Sequence, residues 1–167
     1  MSREVRKVPA SWNHPREQGR TSFCPLFDGS TYEQKATAWD EGASKWASGE
    51  FDEYAEESDK ALPYENWAGP RPNPADYMPI WPESKRTHFM MYETTTEGTP
   101  ISPAFESLED LARWLAENAT AYANETAGYD AWLEVCKAGS AEILVLGPSG
   151  LRSAVTALNE RGSQPSE

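Results

Sequence analysis

The sequence predicts an α+β fold: a small, mainly antiparallel sheet packed against three or four helices, with an ordered Pro/Trp-rich loop. Three observations carry this. Ser30 and Ser107 are helix-capping residues, and each opens a run with one apolar stripe at helical spacing. Residues 87–96 have the β-branched and aromatic content of a strand. Residues 63–82 hold six prolines with Trp67, Tyr77 and Trp81 between them, a density that argues against a helix or a central strand.

The 167 residues fit a single domain, 1–167, long enough to bury about two-thirds of its unfolded surface. Its segments are an N-terminal arm (1–30), an acidic helical segment (31–60), the Pro/aromatic loop (63–86), a strand–helix–helix–strand–helix core (87–160) and a frayed tail (161–167). In the arm, residues 3–8 form a short edge strand stopped by Pro9. Trp12-Asn13-His14-Pro15 is turn-like, and His14 is weighed as a general base or ligand against an ordinary packed histidine. The Ser30…Glu33 capping box then starts a helix over about 31–47, with Tyr32, Ala36, Trp39, Ala43 and Trp46 on one stripe.

The β-prone run is placed centrally in the sheet, because both its faces are apolar near Phe89 and Tyr92; Glu97-Gly98 ends it. Ser107 and Asp110 cap a helix whose buried stripe is Leu108, Leu111, Ala112 and Leu115. A further helix, about 127–138, presents Tyr129, Trp132, Leu133 and Cys136 and ends at Gly139. Residues 142–146 read as an apolar strand, 147–150 as a turn, and Leu151, Ala154, Val155 and Leu158 as a last amphipathic helix.

A formal net charge of −12 repels nucleic acid and anionic membrane surfaces. It suits a protein partner with a basic surface. Half of that charge lies in residues 40–60, where eight acids face Lys45 and Lys60. Asp40, Glu41, Glu50, Asp52, Glu53, Glu56 and Glu57, with Phe51 and Tyr54 three residues apart on one helical face, are the predicted partner-binding residues. The competing reading of such a run is a solvated face.

Cys24 and Cys136 match no metal or redox spacing, and no His/Cys cluster does, so neither metal nor cofactor is expected. With no signal-like apolar N-terminus, the expected location is cytoplasmic. The turn at 147–150 has the local look of a phosphate cradle but is too short for a P-loop and lacks its lysine. If the chain is instead a small enzyme or nucleotide-binding protein, its site is the strand and turn at 88–99, with His88, Tyr92, Glu93 and Glu97 as catalytic candidates.

The pieces Trp12-Asn13-His14-Pro15 and Pro25-Leu26-Phe27-Asp28-Gly29, with the long stretch 76–105, resemble small acidic proteins encoded by bacteriophages and related mobile elements. That group carries no assigned activity. The resemblance implies an accessory protein that binds and disables a host component, including defence proteins that handle nucleic acid, sometimes as a DNA mimic. A virion structural or assembly protein is the third reading.

Overall fold

The computed structural model describes residues 2–96, 98–119, 126–142, 145–147 and 150–152. The fold class is α+β, with five α-helices, a four-stranded antiparallel sheet and a separate two-stranded pair among the described residues. The chain divides into two compact units, Met1–Pro25 with Trp81–Glu167, and Leu26–Ile80.

The first unit is built on a sheet of β1 (Ser2–Val8), β2 (His88–Glu93), β3 (Thr99–Pro100) and β4 (Ser140–Glu142), in the order β3-β2-β1-β4. β1 is therefore an inner strand and not the expected edge strand. It pairs with β2 on one side and β4 on the other, and Pro9 lies just past its last residue, where a missing N–H breaks no ladder bond. β2 is internal, as its apolar content on both faces predicts, but it ends at Glu93; Thr94–Thr96 turn the chain.

The pleat sorts β1 and β2 into two faces. Val5, Phe89 and Met91 face the helices α4 (Leu108–Asn118) and α5 (Tyr129–Ala138), where Leu111, Leu115, Trp132 and Val135 are buried. Ser107 caps α4 as expected, its Oγ accepting from the Asp110 N–H at 3.1 Å. Gly139 closes α5 in the left-handed region, φ +80°. The opposite face carries Arg6, Met90 and Tyr92 and is covered by the N-terminal loop, with Trp12 and His14 on Tyr92.

The segment after β3 stays on the edge of β2 but bulges from it. Ile101 N–H bonds to the Met91 carbonyl, and Phe105 exchanges both backbone bonds with Phe89. Two residues of β2 thus span four of the partner segment, and Ser102 Oγ accepts the Met91 N–H at 2.9 Å. β5 (Val145–Gly147) and β6 (Gly150–Arg152) pair antiparallel. Leu151 accordingly lies in a strand, which overturns the start of the helix expected from residue 151 and removes the strand–turn–helix topology of the weighed phosphate cradle; Ala154, Val155 and Leu158 lie outside the described residues.

The second unit is organised by α1 (Tyr32–Ala47), preceded by a 3-10 turn over Gly29–Thr31. The Ser30…Glu33 capping box does not form. Asp28 takes the role instead, its carboxylate accepting from the Ser30 N–H at 2.9 Å. Gly29 is required here because a Cβ would sit 2.0 Å from the Met78 carbonyl oxygen. The five-residue stripe of α1 is buried or half-buried throughout, as its spacing predicts.

The acidic segment is not a continuous helix to residue 60. Gly49, at φ +85°, ends α1, residues 50–56 are irregular, and α2 is only Glu57–Lys60. The Pro-rich stretch also holds helix, contrary to the expectation that its prolines exclude one: α3 is Tyr64–Ala68, opened by Pro63, and a 3-10 turn starts at Pro74. These prolines stand at helix starts, where an absent N–H leaves nothing unsatisfied. The rest of the stretch is extended and fastened to α1. Trp39 Nε1 donates to the Gly69 carbonyl and Trp46 Nε1 to the Leu62 carbonyl, both at 3.0 Å.

Candidate functional site

Of the strand-and-turn site expected around His88, Tyr92, Glu93 and Glu97, the described residues Tyr92 and Glu93 are not brought to one face. Tyr92 and Glu93 are adjacent in β2 and point to opposite faces. Glu93 stands opposite Arg3 in the β1–β2 register, and its charge favours the buried Arg3 guanidinium. His88 Nδ1 is 3.0 Å from its neighbour Thr87 Oγ1. Glu97 lies outside the described residues. Sequence alternation assumed a strand running to Thr96; its end at Glu93 removes the shared face.

Tyr92 belongs to a buried polar chain. Trp12 Nε1 donates to Tyr92 Oη at 3.1 Å, and Tyr92 Oη lies 3.2 Å from His14 Nδ1. His14 Nε2 lies 2.7 Å from the Cys24 carbonyl, which can only accept, so Nε2 carries the proton and Nδ1 accepts from the tyrosine. Each member has a partner. His14 is buried, and burial lowers its pKa, so it stays neutral and knits the loop to the sheet. Burial pushes the Tyr92 phenol up to about 12. The Arg6 guanidinium lies 4.4 Å from the Tyr92 ring centroid. His14 is a packed histidine, with no free ring nitrogen to act as base or ligand.

The predicted partner-binding residues all lie in the second unit, but several acids already have local duties. Asp40 takes two hydrogen bonds from Arg71, both 2.8 Å, and this pairing holds its carboxyl below the usual carboxylate range. Asp52 accepts from the Tyr54 N–H, Asp59 from the Glu56 N–H, and Glu57 pairs with Lys60 at 2.7 Å. Glu56 completes a capping box with Asp59. Glu50 accepts from Ser48 Oγ at 3.0 Å. Glu41 and Glu53 are exposed. Phe51 and Tyr54 do not share a helical face, because residues 50–56 are irregular. Phe51 packs edge-on against Trp46 at 4.9 Å, whereas Tyr54 is 77% exposed.

Residues outside the predicted set complete a groove beside this acidic turn. Trp46, Phe51, Tyr64 and Trp67 form the aromatic floor of a groove of about 280 Å³, which Glu50, Asp52 and Lys45 also line. Trp46 and Trp67 are stacked at 5.9 Å with 21° between planes. Phe51, Tyr54, Leu62, Trp67 and Ile80 are the exposed large apolar side chains among the described residues, and all five belong to Leu26–Ile80. That unit holds twelve acidic residues against four basic ones, a net −8 of the chain's −12. Tyr64 and Trp67 carry no sign of this role in a segment that reads as a proline-rich loop; of the four rings only Phe51 is among the predicted partner-binding residues.

The first unit holds a larger cleft of about 440 Å³, between the 12–23 loop, the 100–104 bulge and Trp114 of α4. Among the described residues no group of three or more His, Cys, Asp or Glu side chains is arranged to hold a metal ion, and no helix is long and apolar enough to cross a membrane. Cys136 is buried and its thiol is pushed up to about 12; Cys24 is half-buried, and both are free thiols. No protein-family model, curated protein or solved structure matches the chain.

Proposed function

We propose that this is a binding protein that docks on a basic protein partner through the acidic, aromatic face of the unit Leu26–Ile80. One observation carries the reading: the unit with two-thirds of the net charge also has every exposed large apolar side chain among the described residues. Productive interfaces combine an aromatic anchor region with a charged rim, the first supplying affinity and the second steering and register. Here Trp46, Phe51, Tyr64 and Trp67 supply the anchor region, Glu50 and Asp52 its acidic rim, and Glu41, Glu53 and Glu57 are further exposed acids of the same unit. The phage-like pieces of the sequence supply the context: an accessory protein in the host cytoplasm, acting on a host protein that itself handles nucleic acid. The same charge disfavours direct nucleic-acid or membrane contact.

The test is capture of proteins from bacterial lysate on the immobilised full chain, at low and moderate salt. Two variants run beside it, Glu41/Glu50/Glu53/Glu57→Lys and Trp67→Ala. A stoichiometric partner of basic surface is expected, weakened by salt and lost with the charge reversal, and weakened about tenfold or more by Trp67→Ala. Capture that survives charge reversal, or that salt leaves unchanged, refutes the reading. Capture of the chain's own copies would move the assignment to assembly.

A further inference from the structure

We infer that the cleft of the first unit is a binding site for a small planar aromatic molecule carrying one anionic group. The cleft lies at the open edge of the sheet. Two prolines, Pro100 and Pro103, flank a bulge there that no further strand can continue, so the edge is kept from pairing. What the bulge leaves beside it is a concave space of about 440 Å³, within the range of small-ligand sites. Its walls are rings: Trp12, Phe23 and Trp114, with Met90 and Ile101 between them. Parallel or edge-on packing on such walls selects a flat aromatic guest.

The polar groups give the sign of the guest's charge. In a chain of net −12, no Asp or Glu among the described residues lines this cleft, and Arg16 does. The Arg16 guanidinium lies 4.1 Å from the Phe23 ring centroid and donates one N–H to the Thr21 carbonyl, which fixes its plane at the cleft mouth. The remaining N–H groups of the fork match a carboxylate or phosphate. Asn13 and Trp114 also line the cleft, and among the described residues neither the Asn13 amide nor the Trp114 indole N–H makes a hydrogen bond. The other polar side chains of the wall are already committed. His14 is bonded to Tyr92 and Cys24, and Ser102 to Met91 and Pro103. The floor is rigid and satisfied, and the open hydrogen-bonding capacity is held by Asn13, Arg16 and Trp114.

A carboxylate and a phosphate satisfy the same fork, so calorimetric titration of the full chain uses one probe of each kind. Indole-3-acetate and AMP are the anionic aromatics, indole the uncharged aromatic, and inorganic phosphate the anion without a ring. At least one anionic aromatic is expected to bind below about 1 mM, with indole and phosphate each about tenfold weaker or more. The preferred probe of the two identifies the anionic group. Arg16→Gln should weaken that probe about tenfold, and Ala104→Trp, which fills the cleft while keeping every polar group, should abolish binding. Arg16 is exposed, so its variant is expected to fold; near-UV circular dichroism checks this for both. Absence of binding by both anionic probes overturns the inference, as does an affinity that neither variant changes. Because the cleft and the acidic groove share none of the described residues, Trp67→Ala is expected to leave probe binding intact; loss of probe binding in that variant also overturns it.

Discussion

Gly42 sits in the middle of α1, where helix propensity and packing demand opposite residues. In an unobstructed helix, replacing glycine by alanine stabilises by about 1 kcal/mol, because the glycine backbone loses more freedom on folding. At this position a Cβ would lie 2.1 Å from Tyr64 Oη and 2.6 Å from its Cζ. The Tyr64 ring cannot slide away freely, since it is edge-on to Trp39 at 5.3 Å and tilted on Trp46 at 5.7 Å. Displacing it forfeits two aromatic contacts of about 0.5–1.5 kcal/mol each and about 1 kcal/mol of ring burial. The losses of about 2–4 kcal/mol exceed the propensity gain, so Gly42→Ala should destabilise by about 1–3 kcal/mol. Urea unfolding followed by near-UV circular dichroism measures this, because Trp39, Trp46 and Trp67 report on the unit. The decisive comparison is a double-mutant cycle. In a Tyr64→Ala background the obstruction is gone, and Gly42→Ala should become stabilising by about 1 kcal/mol. The same sign in both backgrounds would refute the packing argument.

Two further outcomes follow from the buried groups of the first unit. Burial lowers the His14 pKa below its ordinary 6.5, so the unfolded chain binds that proton more readily. The stabilisation from neutral His14 is complete above pH 6.5 and declines as pH falls through the lower folded-state value; the urea midpoint of the wild type should therefore drop towards that of His14→Gln as pH falls below 6.5, and parallel profiles would count against the network. Cys136 is buried with its thiol pushed up to about 12, so iodoacetamide at mildly alkaline pH should label Cys24 in the native protein and Cys136 only after denaturation, as peptide mass analysis would reveal. Prompt labelling of Cys136 would contradict the packing of α5.

The elements whose signals are local were legible in the sequence. Ser107 with Asp110 marks α4, Gly139 marks the end of α5, and the period of Tyr32, Ala36, Trp39, Ala43 and Trp46 marks α1, because a cap or a stripe is set by residues within two turns. Apart from the Ser30…Glu33 capping box, which Asp28 replaces, much of what failed was non-local. Whether β1 is an edge or an inner strand depends on β4, some 130 residues later, which offers only Ser140–Glu142 as a partner. A proline count cannot say whether each proline stands inside a helix or at its first turn, and Pro63 and Pro74 stand at the first turn.

The candidate sites were hidden for a related reason. An acidic run reads as one undivided surface, yet the chain uses its carboxylates individually. Asp28 and Asp59 serve as caps, Asp52 closes a turn, and Asp40 is neutralised by Arg71 from 31 residues away. Subtracting these leaves Glu41, Glu50, Glu53 and Glu57 as the charge with the lightest structural duties; of these Glu50 lines the groove whose aromatic floor the sequence scatters over residues 46–67. Charge density alone therefore overstates a surface, and it also conceals an exception. The cleft around Arg16, free of carboxylates among the described residues, is visible only once loop, bulge and α4 are brought together from residues 12 to 114, and in a chain this acidic that local absence is the more selective signal.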